Sequence, residues 1–397
     1  MRFRSTGLVL FAGLAIAVGA CSSAGTSSAP ASTAPSVAPS TAPSTAPSTA
    51  PSTAPSPSAG SALKIGVVTD IGTLDDKNYN EYTYKGVKAG AAAIGAAEPP
   101  AVVPKDASQY ADLIQAYVDQ KYDVIVTVGF NLGAATTAAA HKNPDTWFVG
   151  VDQSPICVDA TGAPDATFAC AGKAADLLPK YVSINFQEDQ AGYLAGIIAA
   201  SNAKNNVIGA IGGTSLCGPC VRYIQGYELG AKSINPDIKV VSAYVTNDFS
   251  AAAFNDPVGG KKFAQTFIQT NKPDVLFQVA GKTGNGVLDA ACEAGLLGVG
   301  VDVDQALSYP NAAKCILTSA EKHLEIATGS VIQAIAAGGA KGGDLLFDAK
   351  TQGIGVSPGH DNAALITPEI QAKVDAAMAA MVAGTLTTCP TNCGSLK

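Results

Sequence analysis

The sequence predicts an α/β protein of two lobes, each built on an open sheet of parallel strands. The first observation is a set of short, continuous apolar runs bounded by Gly or Asp, which is the pattern of strands buried on both faces. The runs occupy residues 64–68, 123–128, 147–151, 207–211, 274–279 and 298–303. Helical spacing between the runs is the second observation, and a length of 397 residues, sufficient for two domains, is the third. Alternating strands and helices indicate right-handed βαβ units.

Two helices are predicted from the spacing of their apolar residues. The first has its apolar positions at i, i+3, i+4, i+7 and i+8, namely Tyr110, Leu113, Ile114, Tyr117 and Val118. A similar stripe near the end of the chain comprises Ile370, Val374, Met378 and Met381. Each stripe is expected to pack against a sheet.

The two lobes are predicted to share the chain discontinuously. We place the first crossover near residues 186–190, where a strand-like segment leads into a helix, and a second crossover near 319–325. Lobe 1 then contains residues 62–187 and 322–397, and lobe 2 contains residues 188–321. Ligands of open α/β sheets gather at the carboxyl ends of the strands, so two facing sheets predict a binding cleft between the lobes.

The beginning of the chain has the pattern of an export signal. Arg2 and Arg4 precede an apolar run at 7–20, which is shorter than the roughly 20 residues needed to cross a bilayer. The small residues that end this run lead into Cys21 and resemble a bacterial lipobox. We therefore predict a lipoprotein signal peptide over 1–21 and a mature protein held on the extracytoplasmic face of the cell membrane by lipid on Cys21.

A low-complexity segment follows the signal peptide. Residues 22–61 consist mainly of Ser, Thr, Ala and Pro. Such a composition cannot bury a core and favours extended conformations, which predicts a disordered linker between the anchor and the folded body.

The overall composition argues against two classes of site. The chain has 25 Lys and Arg against 32 Asp and Glu, for a net charge of −7, so no basic surface for nucleic acid is expected. Its three histidines are widely separated, which disfavours a histidine-rich metal site. No metal and no cofactor are predicted.

Nine cysteines in an exported chain suggest disulfides, because eight remain once Cys21 is lipidated. Close spacing suggests three pairs and leaves the fourth: Cys157–Cys170, Cys217–Cys220, Cys389–Cys393 and Cys292–Cys315. Eight cysteines allow 105 connectivities, so the pairing stays open at this point.

Four short motifs are candidates for catalysis or metal binding. Cys217-Gly218-Pro219-Cys220 has the form of a redox-active motif, but its position in the middle of the chain favours a structural disulfide. Gly281-Lys282-Thr283 lacks the earlier glycine of a phosphate-binding loop, and Gly213-Thr214-Ser215 lacks the second glycine of a nucleophile elbow. Asp302-Val303-Asp304 is not followed by a calcium loop. None of these motifs supports catalysis, in line with our prediction that the protein is not an enzyme.

The most informative segment runs from the first predicted strand into a helix and reads VTDIGTLDDKNYN at 68–80. It resembles the basic membrane protein (BMP, PnrA-like) family of lipoproteins. Further matches, in the same order, are YVSINF at 181–186, AGYLAG at 191–196, FNDP at 254–257, AGKTG at 280–284, GVDVDQ at 300–305 and TSAEK at 318–322. The resemblance spans roughly residues 63–385. It implies the type 1 periplasmic-binding-protein fold, with two Rossmann-like lobes joined by hinge crossovers.

The resemblance also implies a function and four site residues. Its members are substrate-binding proteins of ABC importers, and many bind purine nucleosides. Tyr79 and Phe254 match the aromatic positions that sandwich the base, although Phe249 is an alternative because residues 247–253 look like an insertion. Asp302 and Lys322 match the ribose-binding positions. Rings stack on base faces, and a carboxylate accepts hydrogen bonds from both hydroxyls of a ribose.

Four further residues complete the predicted site. Asp152 follows a predicted strand and can accept hydrogen bonds from base N–H groups, while Asp70 and Asn80 supply other polar contacts. Gly281 lies in one of the matched segments, and Asp304 is the alternative to Asp302 for the ribose.

Two departures from the family pattern bear on the ligand. Tyr79 stands where Phe is common, so its hydroxyl needs a partner if it is buried. Lys282 stands in a run that is usually rich in glycine, and we expect it to point into the cleft and favour a more polar or anionic ligand.

The sequence thus predicts a monomeric solute-binding lipoprotein that delivers a nucleoside-like ligand to the permease and ATPase subunits of an ABC importer. A protein that binds a sugar or another polar metabolite is the first alternative. A receptor subunit that reports ligand occupancy is another. From a different class, an envelope thiol oxidoreductase would use Cys217 and Cys220.

Overall fold

The computed structural model describes residues 63–153 and 156–395. The predictions for Cys21, the signal peptide 1–21 and the linker 22–61 lie outside the described residues. Within the described part of the chain, no helix is long and apolar enough to cross a membrane.

The described residues form twelve strands and twelve α-helices. The strands are β1 (Ile65–Thr69), β2 (Ala101–Val102), β3 (Val124–Val128), β4 (Trp147–Val151), β5 (Tyr181–Phe186), β6 (Val207–Thr214), β7 (Lys239–Thr246), β8 (Val275–Val279), β9 (Leu297–Asp302), β10 (Ile316–Lys322), β11 (Gly343–Phe347) and β12 (Ile354–Val356). The helices are α1 (Tyr79–Ala93), α2 (Tyr110–Asp119), α3 (Gly133–Lys142), α4 (Ala174–Leu177), α5 (Glu188–Asn202), α6 (Gly218–Ile234), α7 (Ala251–Phe254), α8 (Pro257–Asn271), α9 (Gly281–Glu293), α10 (Gln305–Ser308), α11 (Leu324–Ala336) and α12 (Pro368–Val382).

The strands make two six-stranded sheets, which confirms the predicted α/β architecture. The first sheet has the order β11-β5-β4-β3-β1-β2, and all of its pairs are parallel. The second has the order β12-β10-β9-β8-β6-β7 and is parallel except for β12. All six predicted apolar runs are strands. Every residue of β1, β3 and β8 is buried, as expected for strands that helices cover on both faces.

The two predicted helical stripes correspond to α2 and α12. In α2, Tyr110, Ile114 and Tyr117 are buried against the first sheet's core. In α12, Ile370 and Val374 are buried.

The chain crosses between the sheets more often than predicted. The first crossing follows β5 of the first sheet, because the next helix, α5, packs on α6 beside the second sheet. The second crossing follows β10 of the second sheet, because the next helix, α11, packs on α1 beside the first sheet. β11 adds to the first sheet, in line with the predicted return. β12 then pairs antiparallel with β10 in the second sheet, and α12 contacts α5, so this part of 322–397 does not follow lobe 1. The lobe boundaries themselves stay predictions.

Hydrogen bonding to β10 explains why β12 lies in the second sheet, although residues 322–397 were assigned to lobe 1. The strand is three residues long and carries no periodic signal, and its place is set by pairs such as Ala320 with Val356. Just beyond it, the Thr318 hydroxyl donates to the Ser357 carbonyl oxygen at 2.7 Å, and the Ser319 N–H donates to Ser357 Oγ at 2.7 Å. These long-range contacts leave no trace in the local sequence.

The structure joins the eight described cysteines in four disulfides. They are Cys157–Cys170, Cys217–Cys220, Cys292–Cys315 and Cys389–Cys393, the same pairs that the spacing suggested.

Candidate functional site

A cavity lies where the carboxyl ends of the two sheets face each other. Its empty space, counted together with the opening to solvent, is about 580 Å³. All eight predicted site residues line it: Asp70, Tyr79, Asn80, Asp152, Phe254, Gly281, Asp302 and Lys322. Nine residues that were not predicted also line it: Ile71, Asp76, Phe130, Cys217, Pro219, Cys220, Tyr223, Val279 and Val301.

Strand ends place the acidic residues of the cavity. Asp70 directly follows β1, Asp152 follows β4, and Asp302 is the last residue of β9. Asp152 and Asp302 adopt left-handed backbone conformations, with φ of 59° and 63°. Such conformations are uncommon outside glycine and cluster at functional sites, so the strand ends direct carboxylates into the cleft at some cost in backbone energy.

The start of α1 is fixed by a buried carboxylate. Asp76 accepts hydrogen bonds from the backbone N–H groups of Asn78, Asn80 and Glu81 at 2.9, 2.9 and 3.1 Å. Burial raises the pKa of Asp76, although these three donors oppose the rise. Asp76 therefore holds the turn that carries Tyr79 and Asn80 into the cavity.

A buried lysine joins carboxylates from both halves of the cavity. Lys322 Nζ lies 2.5 Å from Asp152 Oδ2 and 3.6 Å from both Asp302 Oδ1 and Glu188 Oε1. Its side chain is 3% exposed. Glu188 also accepts from Arg222 Nε at 2.7 Å. The ammonium of Lys322 and the guanidinium of Arg222 thus pair with the three carboxylates in a buried space. Removing one partner of such a buried pair is costly, because the charge left behind is no longer compensated.

This network shifts the acidities of its members. Burial lowers the pKa of Lys322, but the carboxylates of Asp152, Asp302 and Glu188 outweigh it, and the net shift is upward. Burial raises the pKa of Asp152 and Asp302, and Lys322 opposes the rise in both. The lysine therefore stays charged, and its charge favours the ionised forms of Asp152 and Asp302 against the effect of burial.

Asp70 behaves differently because no cation accompanies it. Burial and the nearby charge of Asp76 raise the pKa of Asp70 to about 8, so at neutral pH it is mainly protonated and can donate a hydrogen bond. Gly129, at φ 111°, lies against it, and a Cβ there would stand 2.3 Å from Asp70 Oδ2. Asn80 Oδ1 is buried with no hydrogen-bond partner among the described residues. This edge of the cavity offers one donor and one acceptor.

Aromatic rings line the cavity from both lobes. The Tyr79 hydroxyl donates to the Val151 carbonyl oxygen at 3.2 Å, which supplies the partner that the hydroxyl needs, and Lys322 Nζ lies 4.8 Å from the ring centroid. Phe254 lies in the second lobe, and its ring centroid is 6.5 Å from that of Phe130. Phe249 packs against Phe130 at 5.3 Å but does not line this cavity. Of the two alternatives, the structure brings Phe254 to the site.

Two residues considered from the sequence lie elsewhere. Lys282 was expected to point into the cleft, but Nζ donates to Thr73 Oγ1 at 3.0 Å and lies 3.1 Å from Asp75 Oδ1. Its side chain leaves α9 toward the loop before α1, so the expectation of a more anionic ligand loses its basis. Asp304, the alternative to Asp302, lies 2.6 Å from His360 Nε2 and caps α10.

The lobes also meet at two backbone carbonyls beside the cavity. Asn285 Nδ2 donates to the Asp76 carbonyl oxygen at 3.0 Å, and the Ser308 hydroxyl donates to the Lys77 carbonyl oxygen at 2.8 Å. The loop that carries Tyr79 is therefore in direct contact with the second lobe.

Among the described residues, one group has the spacing of metal ligands, comprising Asp189, Cys389 and Cys393. The two sulfur atoms of this group are bonded to each other and are not free thiolates.

Some of the missed residues could have been found and others could not. Phe130 comes two residues after β3. Ligands gather at the carboxyl ends of parallel strands, and this rule, which located Asp70 and Asp152, applies to Phe130 as well. Tyr223 lies on α6, where an apolar residue in a helix gives no functional signal. Its hydroxyl nevertheless donates to Asp302 Oδ1 at 3.2 Å.

A cleft between two parallel-sheet lobes, lined by carboxylates, a lysine and aromatic rings, defines the class of two-lobed solute-binding proteins. The family model described as "ABC transporter substrate-binding protein PnrA-like" matches residues 63–382. The chain belongs to this family, which confirms the resemblance seen in the sequence. Its members bind their substrates and are not enzymes.

Comparisons with individual proteins agree with this family. The chain is 31% identical over 232 residues to the ABC transporter nucleoside-binding protein BmpA of Lactococcus lactis, covering 58% of each chain. It is 30% identical to Basic membrane protein A of Borreliella burgdorferi, covering 67% of this chain and 70% of that one. A solved solute-binding protein of an ABC transporter system from Aeropyrum pernix superposes with a TM-score of 0.68 at 21% identity, covering 82% and 92% of the two chains. The fold is the type 1 periplasmic-binding-protein fold.

Proposed function

We propose that this protein is the lipid-anchored binding component of an ABC importer and that it captures a purine nucleoside between its lobes. The observation that carries the proposal is a single cavity in which Tyr79 and Phe254 lie together with Asp302 and Lys322. Rings suit the faces of a base, and a carboxylate beside an ammonium suits a ribose diol. The related Lactococcus lactis protein is named as nucleoside-binding.

The charges of the cavity favour a neutral ligand with many donors. Lys322 favours the ionised forms of Asp152 and Asp302, and the Asp152 Oδ1 atom has no hydrogen-bond partner among the described residues. Lys322 is already paired with three carboxylates, so little positive charge is left for a phosphate. A nucleoside fits this pattern better than a nucleotide.

Each part of the nucleoside has a proposed partner. Asp302 would accept from the ribose hydroxyls, with Lys322 beside it. The protonated Asp70 and Asn80 would contact the base edge as donor and acceptor. Ligand groups that touch both lobes would favour the state in which the lobes are together, because a ligand shifts an equilibrium only by its differential affinity.

Delivery to the permease and ATPase subunits, action as a monomer and the anchor at Cys21 complete the proposal. Growth of bacteria in labelled palmitate, followed by fractionation, tests the anchor. The label and membrane retention are expected in the native chain and not in Cys21→Ser.

Titration calorimetry with inosine, guanosine, adenosine, ribose and xylose tests the ligand. At least one nucleoside is expected to bind more tightly than about 100 μM, and Asp302→Asn is expected to weaken that binding by about tenfold or more, as for a lost charge-assisted hydrogen bond. Asp304→Asn, at a carboxylate outside the cavity, is the matched control. Binding of ribose alone would favour the sugar alternative, and no nucleoside binding below about 100 μM would refute the proposal.

The thiol oxidoreductase alternative finds no support in the site. Cys217 and Cys220 are only 3% and 6% exposed, which leaves a protein thiol no direct access to the sulfur atoms.

A further inference from the structure

The loop after β6 brings a pair of cysteines into the wall of the site cavity. Cys217 is the N-terminal cap residue of α6, and Cys220 lies in the first turn of that helix. Their sulfur atoms are bonded to each other, and both residues line the cavity together with Pro219. Of the four disulfides in the described residues, this one alone lines that cavity.

The first two turns of α6 also hold the charged residues of the site. The Tyr223 hydroxyl donates to Asp302 Oδ1 at 3.2 Å, and Arg222 Nε donates to Glu188 Oε2 at 2.7 Å. Glu188 Oε1 in turn lies 3.6 Å from Lys322 Nζ. The position of α6 therefore affects one site carboxylate directly and the site lysine through Glu188.

The disulfide fixes the beginning of this helix. Cys217 Sγ accepts a hydrogen bond from the Cys220 backbone N–H at 3.2 Å, and the covalent bond closes the turn between the two residues. Reduction would leave two thiols, each with an added hydrogen, in a buried space that the bonded sulfur atoms fill. Because protein interiors are close-packed, the thiols or the first turn of α6 must then move.

We infer that the Cys217–Cys220 disulfide is a determinant of ligand affinity, and that its reduction to two thiols weakens binding. The inference rests on the proposed function, since the affinity in question is that of the same cavity. It assigns to this pair a role in the binding site in place of catalytic thiol exchange.

The proposed reductant is a small dithiol, which would reach the pair from the cavity that both cysteines line. One thiolate of the reagent attacks a protein sulfur and forms a mixed disulfide, and its second thiol closes the reagent's own disulfide. The reagent loses two electrons and two protons, and the protein sulfurs gain them as two thiols. A bound ligand covers the same wall and is expected to slow the reaction. At equilibrium, a ligand that binds the oxidised form more tightly must disfavour reduction by the same factor.

The test compares two double variants of the same lobe. Cys217→Ser with Cys220→Ser removes the cavity disulfide, and Cys292→Ser with Cys315→Ser removes one that joins the end of α9 to the segment before β10, outside the cavity. Inosine affinity is expected to fall about tenfold in the first and to stay unchanged in the second. Hydrogen exchange of residues 218–223 is expected to accelerate in the first alone. Inosine is expected to slow the alkylation of thiols that dithiothreitol releases from this pair.

Each result decides the inference. Unchanged inosine affinity in the first variant, or unchanged exchange at 218–223, would overturn it. If the native chain binds no nucleoside, the proposed function fails, and the exchange measurement then decides separately whether the disulfide holds the cavity wall. If the first variant does not fold, wild-type protein reduced at this pair by limited dithiothreitol, with the site of alkylation mapped by mass spectrometry, replaces it in the same measurements.

Discussion

Replacing Lys322 with Met removes the cation that holds three buried carboxylates together. Its Nζ lies 2.5 Å from Asp152 Oδ2 and 3.6 Å from oxygens of Asp302 and Glu188, while Arg222 contacts Glu188 alone among the three. Without the lysine, at least one carboxyl must take up a proton. For a carboxyl whose pKa in the unfolded chain is about 4, protonation at pH 7 costs about 4 kcal/mol, at about 1.4 kcal/mol per pH unit. We therefore expect Lys322→Met to lower the free energy of unfolding by about 4 kcal/mol, as for other broken buried pairs.

The pH dependence of this loss identifies its cause. The folded variant binds a proton that the unfolded chain does not bind near neutral pH, so its stability rises as the pH falls. Urea unfolding at pH 5 and pH 8 should show a smaller difference from wild type at pH 5. Lys261→Met is the control, since Lys261 pairs with Glu293 at 2.6 Å on the surface, and no measurable loss is expected there. A loss below about 1 kcal/mol at pH 7, or a loss equal at both pH values, would refute the reasoning.

Three further predictions follow from the site. The pKa of Asp70 is about 8 in the folded state, above its unfolded value, so the stability of the wild type should fall as the pH rises from about 4 to 8. In urea unfolding, Asp70→Asn should reduce this pH dependence by up to about 1.4 kcal/mol per pH unit. An unchanged pH dependence would contradict the prediction. Gly129→Ala places a Cβ 2.3 Å from Asp70 Oδ2 at a φ of 111° and should lower the free energy of unfolding by about 2–4 kcal/mol. Gly95→Ala is the control and should cost less, because φ there is 71° and no atom lies within 4 Å of the added Cβ. Equal losses in the two variants would show that the contact with Asp70 is unimportant. Mass spectrometry of the isolated protein, denatured without reductant, should find no free thiol among the eight cysteines of the folded body, and a free pair would contradict the structure.

The parts of the fold that were predicted correctly have local causes. β1, β3 and β8 are buried along their whole length, so each appears in the sequence as a continuous apolar run. Because parallel strands expose their carboxyl ends at one edge, Asp70 and Asp152 could be assigned to a common cleft without knowledge of the fold. The family resemblance supplied the remaining positions, such as Phe254 and Lys322.

The parts that were missed depend on the approach of distant elements. Lys282 leaves α9 toward Asp75, which is 207 positions away in the chain, and nothing near Lys282 predicts this direction. Tyr223 reaches Asp302 across 79 positions. The strand β12 has its place only because β10 offers a free edge.

The two lobes of parallel sheets and the carboxylates that follow several of the strands were predictable from local patterns, because burial on both faces of a strand and the residue types at its end can be read from consecutive residues. Three features were visible only in the folded protein: Lys322 is shared by three carboxylates, Lys282 contacts the opposite lobe, and Cys217 and Cys220 line the cavity. These outcomes depend on distances between residues far apart in the chain. Such distances are fixed by the way distant elements come together, as α5 does with α6 and α1 with α11, rather than by any one segment.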